Sequence, residues 1–205
     1  MRDTRAELLL QAETLVRRRG YAGFSYADLA ETVRIRKASI HHHFPTKSDL
    51  AHALVAAYDA RYDAALAEIR AGEPDAIERI AAYGALYLGG VEAGLGCLCA
   101  VLAIEGDALP ASLRADIARF FEKHIAWLES VLAEGVAAGS VRVSAEPGAT
   151  ARMVVAALEG ALLMERLLSG PEGFRGTLAA LCDGLRPAGV SSHRTGVSSH
   201  STDTI

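Results

Sequence analysis

The 205-residue sequence has little cysteine (3), little proline (6), a single tryptophan and no long hydrophobic run. Three cysteines, an odd number, do not build a disulfide framework, so free thiols are expected. The longest uncharged stretches, residues 80–91 and 93–104, have twelve residues each, short of the roughly 18 to 20 that span a bilayer. Arg2, Asp3, Glu7 and Glu13 interrupt the N-terminal region, which is not the pattern of an export leader, and a cytoplasmic location is expected. Enzyme signatures are missing too. There is no Gly-x-Ser-x-Gly, His-Glu-x-x-His, Walker loop or dinucleotide-binding Gly-x-Gly-x-x-Gly. Ser48 and His52 share a helix face but no orienting acid accompanies them, so the chain is expected not to be an enzyme and to need no cofactor or metal.

What is present is apolar: 51% of residues are hydrophobic against 22% charged, enough for a sizeable core and too apolar for disorder throughout. The net charge of -4 hides an asymmetry, because residues 1–50 carry nine Lys and Arg against six acids, while the remainder stands at -7. A basic end on an acidic chain suits an anionic partner such as nucleic acid.

Apolar spacing is helical almost everywhere, which predicts an all-α fold. A first helix runs from Thr4 to Arg19, with Ala6, Leu9, Leu10, Ala12 and Leu15 inward and Gly20 as its stop. Ser25 with Asp28 forms a capping box for a short helix to Val33, and Lys37–His43 makes a third. Thr46 and Asp49 open a long fourth helix ending near Gly72. Pro74 suits the first turn of a fifth, which carries Tyr83, Tyr87 and Leu88 and fades at Gly89-Gly90. A short apolar helix over Cys97–Ile104, a long one after Pro110, an apolar one over Thr150–Leu168 and a last one after Pro171 complete the chain. In that last helix Phe174, Leu178, Leu181 and Leu185 form a narrow seam of the kind helices use to pair. From Pro187 the chain turns to Ser, Thr, Gly and His, with the pentapeptide of residues 189–193 repeated at 196–200, and is expected to be disordered.

Helices two and three, joined by about three residues, form a helix-turn-helix unit. Its second helix fits the major groove and would present Lys37, Ala38, Ser39, His41, His42 and His43, with Ile40 and Phe44 turned to the core. Ser25 and Tyr26 complete the candidate DNA-facing set. Neighbouring side chains on a helix point about 100° apart, so the three histidines do not close on one metal ion.

The stretch from Gly20 to Ala30 and that from Ile35 to Leu50, with Phe44-Pro-Thr-Lys-Ser-Asp-Leu50 after the third helix, resembles the N-terminal DNA-binding domain of the TetR/AcrR family of transcriptional regulators. The resemblance covers residues 3 to 55. It implies a helix-turn-helix domain over 1–48, a helical ligand-binding and dimerisation domain over 49–186, a homodimer, and release of double-stranded operator DNA when a small molecule binds. It also places Lys47 at a family lysine that holds a phosphate together with free helix N–H groups. The chain departs from the family pattern at Arg34, usually Gly, at Arg36, usually a capping Ser or Thr, and at His41, usually Tyr. Each arginine costs on the order of 1 kcal/mol locally, which suggests phosphate contact as the compensating role.

In the effector half, Tyr62, Tyr83, Tyr87, Phe121, His124, Trp127 and Met153 are placed on inward faces and are candidates to line an apolar pocket with polar tips; core packing explains each of them as well. Cys97 joins them as a candidate, with Cys99 two residues on. These thiols keep open an alternative function, a redox or electrophile sensor, or a helical binding protein acting through a protein partner. The last two helices are expected to form the dimer contact.

Overall fold

In the computed structural model residues 3–187 are described, and the expected tail from Pro187 lies, beyond that residue, outside them. The described residues form helices and no strand: α1 (Thr4–Arg19), α2 (Tyr26–Val33), α3 (Lys37–His43), α4 (Lys47–Gly72), α5 (Ala76–Ala85), α6 (Leu88–Glu92), α7 (Leu98–Ile104), α8 (Ala111–Ala137), α9 (Pro147–Glu165) and α10 (Pro171–Leu185). None is long and apolar enough to cross a membrane.

Helix starts follow local chemistry. Ser25 Oγ accepts from the Ala27 and Asp28 amides while the Asp28 carboxylate accepts from Ser25 N, and Thr46 and Asp49 repeat that exchange at α4. Asp3 caps α1 by accepting from the Arg5 and Ala6 amides, both at 3.1 Å. The buried face of α1 is Leu8, Ala12, Leu15 and Val16, whereas Leu10 is 62% exposed. The inward set predicted for this helix is therefore rotated, because Glu13 also faces in, where Arg17 and Arg61 meet it.

Two boundaries in the middle of the chain also differ from the sequence expectation. Helix α5 starts at Ala76 because Asp75 caps the Ile77 and Glu78 amides, leaving Pro74 before the helix and outside its first turn. Tyr87 lies past the end of α5, and Gly89-Gly90 sit inside α6 and do not end a helix.

The 26-residue α4 is roughly 39 Å long at about 1.5 Å per residue and connects the N-terminal head to the rest. Polar links fix it along α8: His52 to Asp116, Asp59 and Asp63 to Lys123, and Arg70 to Glu134. Helix α8 packs on α9, which packs on α10, and α10 returns to α5 and α6. The apolar seam of α10 belongs to this arrangement: Phe174, Leu178 and Leu185 are buried within the chain and Leu181 packs against the same core. The pairing partner of that seam is the chain itself, since α5, α6 and α9 already cover it.

Candidate nucleic-acid interface and effector cluster

Helix α3 is held by Ile40, 0% exposed, and Phe44, 2% exposed, so its remaining side chains point away from the core. Lys37, Ala38, Ser39, His41 and His42 are exposed and His43 half-buried. The His42 and His43 rings meet edge-on at 5.4 Å, while His41 turns to the Tyr26 ring and its Nδ1 lies 3.1 Å from the Pro45 carbonyl oxygen. Arg34 ends α2 in the left-handed region, φ 59 and ψ 45, and is the one non-glycine residue among those described with positive φ. Arg36 precedes α3 without capping it. Both arginines are exposed beside α3, a pairing of backbone strain with cations that have no ion pair among the described residues.

Two other members of the DNA-facing set are engaged internally. Tyr26 is buried, its hydroxyl 2.9 Å from the Phe44 carbonyl and 2.6 Å from that of Thr46, and burial raises its pKa to about 12. It braces α2 against the α3–α4 turn and is not presented to a groove. Lys47 folds back over the Tyr21 and Phe24 rings and donates to the Phe24 carbonyl at 2.5 Å, and burial lowers its pKa. Here the half-buried ammonium is engaged with the two rings and a carbonyl, so the expected phosphate contact would require the flexible stem to swing outward. Ser25 remains exposed but its hydroxyl serves the cap of α2.

In the effector half the aromatic candidates converge. Tyr83 is fully buried and stacks on Trp127 with ring centroids 5.7 Å apart. Its hydroxyl lies 3.2 Å from that of Tyr87 and 3.0 Å from His124 Nδ1. Tyr62 packs on His124 at 5.0 Å, and its hydroxyl is 3.3 Å from Tyr58. His124 is 1% exposed and its Nε2 has no partner among the described residues. Burial first, and the Lys123 cation second, hold its pKa down at about 4, so the ring is neutral.

Two of the candidate pocket residues do not join this cluster. Met153 is 58% exposed on the outer side of α9, because the inward side is taken by Val154, Val155 and Leu158. Phe121 is half-buried in a separate shallow cleft with Leu109 and Ile117.

The sequence reading passed over Glu159. Its carboxyl meets the Cys97 thiol and Tyr87 hydroxyl, Oε1 has no partner, and burial raises its pKa to about 7. Cys97 and Cys99 are buried free thiols; burial, then the Glu159 carboxyl, push Cys97 up to about 12, and burial raises Cys99 as well. Those environments suppress the thiolate and disfavour thiol sensing. A lone acid in the middle of an otherwise apolar helix was the available signal for Glu159.

Also missed were the links between head and effector half. Arg17 Nε donates to the Gly96 carbonyl at 2.6 Å, and the Glu105 carboxylate accepts from the Tyr21 and Ala22 amides at 2.5 and 2.8 Å. Helix α7 is thus a strut tied to the head on both sides, with Cys97 just before its first turn. His52, thought to lack an orienting acid, has Asp116 at 2.5 Å on Nδ1 and Ser112 at 3.2 Å on Nε2. Asp116 also binds Arg119, and the group staples α4 to α8.

This architecture has known counterparts. A sequence model described as "Bacterial regulatory proteins, tetR family" matches residues 8–54, and one described as "Tetracyclin repressor-like, C-terminal domain" matches residues 76–181. The crystal structure of a TetR-family transcriptional regulator from Agrobacterium tumefaciens superposes with a TM-score of 0.85 at 34% identity, covering 89% of this chain and 97% of that one. The reduced form of NemR from Escherichia coli superposes with a TM-score of 0.77 at 28% identity, over 91% and 100% of the two chains. By sequence, the HTH-type transcriptional repressor DhaR of Mycobacterium sp. (strain GP1) is 22% identical over 171 residues, 83% of this chain and 86% of the relative. With the reading helix exposed on one side and a buried polar cluster on the other, the chain belongs to the TetR family of bacterial regulatory proteins and is a ligand-responsive, DNA-binding transcriptional regulator.

Proposed function

We propose that the protein is a cytoplasmic repressor, acting by binding and not by catalysis, that holds an operator as a homodimer and releases it when a small molecule enters beside Glu159 and Cys97, next to the Tyr62–Tyr83–His124 cluster. The observation that carries this reading is the strut: α7 begins beside Glu159 at the cluster, and the chain at its two ends is bonded to α1 through Arg17 and to the turn after α1 through the Tyr21 and Ala22 amides. A ligand that displaces Cys97 therefore moves Gly96 and Glu105 and, through them, the base of the reading head. Two half-sites on DNA fix the separation of the two heads, so a small tilt shifts the population away from the bound form.

Homodimerisation through α9 and α10 is supported by their outer faces. Met164, Leu167 and Leu168 are more than half exposed at the end of α9 and just past it, and α10 presents Gly176, Ala180 and Gly184, small enough for close helix approach.

Within the head, Lys37, Ala38, Ser39, His41 and His42 would read bases, and Arg34 and Arg36 would hold phosphates. The test is fluorescence anisotropy with DNA from upstream of the protein's own gene against random competitor at two salt concentrations. A Lys37→Ala, Ser39→Ala variant is expected to lose at least about tenfold in preference for that DNA, each good base contact contributing on the order of 1–3 kcal/mol of discrimination. Equal affinity of variant and parent for both DNAs would sink the assignment of α3 as the reader, and absence of DNA binding at low salt would favour a protein partner instead.

A further inference from the structure

Helix α9 carries a half-buried Glu159 between two apolar turns, with its Oε1 shielded from water and unbonded. Its carboxyl meets the Cys97 thiol, just before α7, and the Tyr87 hydroxyl, and Cys99, Tyr62 and Tyr83 belong to the same surroundings. Thiols and phenols are neutral or anionic and never cations, so none of these supplies a countercharge. The nearest cations are otherwise placed: Arg17 is bonded to Glu13 and the Gly96 carbonyl, and Arg166 stands exposed at the rim. Among the described residues no ion pair includes Glu159, although Glu13, the other inward acid, is met by two arginines. A buried carboxylate without a cation is costly unless something supplies one. Beside it, between α7 and α9, runs a cleft of about 260 Å³ with walls of Ala100, Val101, Leu162 and Leu163.

We propose that the effector is a hydrophobic amine, its ammonium pairing with the Glu159 carboxyl and its apolar body lying in the α7–α9 cleft. The proposal rests on the ligand-responsive reading above and specifies the ligand's class. An alcohol offers the oxygen a hydrogen bond but no charge, and a carboxylic acid brings a second negative charge, so the chemistry of the site selects the amine. Because the Glu159 pKa lies at about 7, binding a cation draws off the proton that remains there at lower pH. An alkylamine, like a lysine, stays charged throughout this range, so its affinity rises with pH, by roughly tenfold between pH 6 and pH 8.

The experiment titrates the full chain with n-hexylamine, n-hexanol and hexanoate at pH 6, 7 and 8. It follows the fluorescence of Trp127, the single tryptophan, which stacks on Tyr83, with calorimetry as a second reading. The expected result is that hexylamine binds tightest and tighter at higher pH, and that Glu159→Gln loses the amine preference and its pH slope while binding hexanol as before. Circular dichroism checks that the variant is folded; should it not fold, the pH slope of the parent protein decides alone. Equal affinity for amine and alcohol, preference for hexanoate at low pH, or no binding of hexylamine would each overturn the proposal. Operator binding measured on the same samples separates these outcomes from failure of the regulator reading, which would show as no sequence-preferring DNA binding at all.

Discussion

In the head, the polar groups drawn inward each have a partner: the Tyr26 hydroxyl has two carbonyls, Lys47 has the Phe24 carbonyl and two rings, and the short helices are closed by Ser25 and Thr46. Cations such as Arg34 and Arg36, with no ion pair among the described residues, stand outside. The effector half reverses this. It keeps a neutral histidine and a carboxyl inside, links them through Tyr83 and Tyr87, and leaves His124 Nε2 and Glu159 Oε1 without partners. A region whose buried groups are satisfied is rigid and presents a surface; one with groups unsatisfied gains free energy when a ligand completes them. The contrast matches a division of labour between reading and sensing.

The sharpest way to break that contrast is pH, since the two inner groups titrate in opposite senses. His124 has its folded pKa near 4 against an ordinary 6.5, so its contribution is full above about 6.5 and is lost as pH falls toward 4. Glu159 has its folded pKa near 7 against an ordinary 4.5, so its contribution is full below about 4.5 and is lost as pH rises toward 7. Each change amounts to about 3 kcal/mol, and between the two ordinary values they largely cancel. Urea denaturation across pH 4.5 to 7 should show Glu159→Gln gaining about 3 kcal/mol on the parent as pH rises. His124→Gln should gain a similar amount as pH falls from 6.5 to 4. Stability curves that run parallel to the parent's at every pH would mean that neither group is buried in the sense described.

Next in size is the joint between the two regions. Gly20 closes α1 at φ 81 and ψ 172, a region open essentially to glycine alone, and a Cβ there would collide with the Glu105 carboxylate. Gly20→Ala is expected to lose about 2 kcal/mol from the backbone alone. Glu105→Ala avoids that strain and removes only the tie, so hydrogen exchange should quicken at the Tyr21 and Ala22 amides while α8 and α9 stay protected. Unchanged exchange at those two amides would show that the tie does not hold the head.

How far these features are legible in the sequence follows from the range of the interaction. The capping boxes at Ser25 and Thr46 involve residues three apart and can be read directly, as can Ile40 and Phe44 on one face of α3. The ties of Glu105 to Tyr21 and of His52 to Asp116 cross 84 and 64 residues, and no periodicity announces them. Lys47 could be placed on α4 but its direction could not, since a flexible stem turns as readily to a ring as to a phosphate. On α9 the apolar pattern runs round the helix, so Met153 and Glu159 could not be assigned to outside and inside until α8 and α10 had taken their places.

The smallest effect asks whether the head gives up stability for DNA. Arg34 holds a left-handed backbone that costs a residue with a Cβ about 1–2 kcal/mol, and nothing inside the protein rewards it, for its side chain is exposed beside α3. Arg34→Gly removes that strain while adding chain entropy to the unfolded state, and a net gain of about 1 kcal/mol or less is expected. If the arginine is kept for a phosphate, the more stable variant binds operator less well, and the slope of log affinity against log salt falls by about 1. If affinity and salt slope stay as they were, the strain at Arg34 has no counterpart on DNA, and the outward cations of the head lose their place in the comparison.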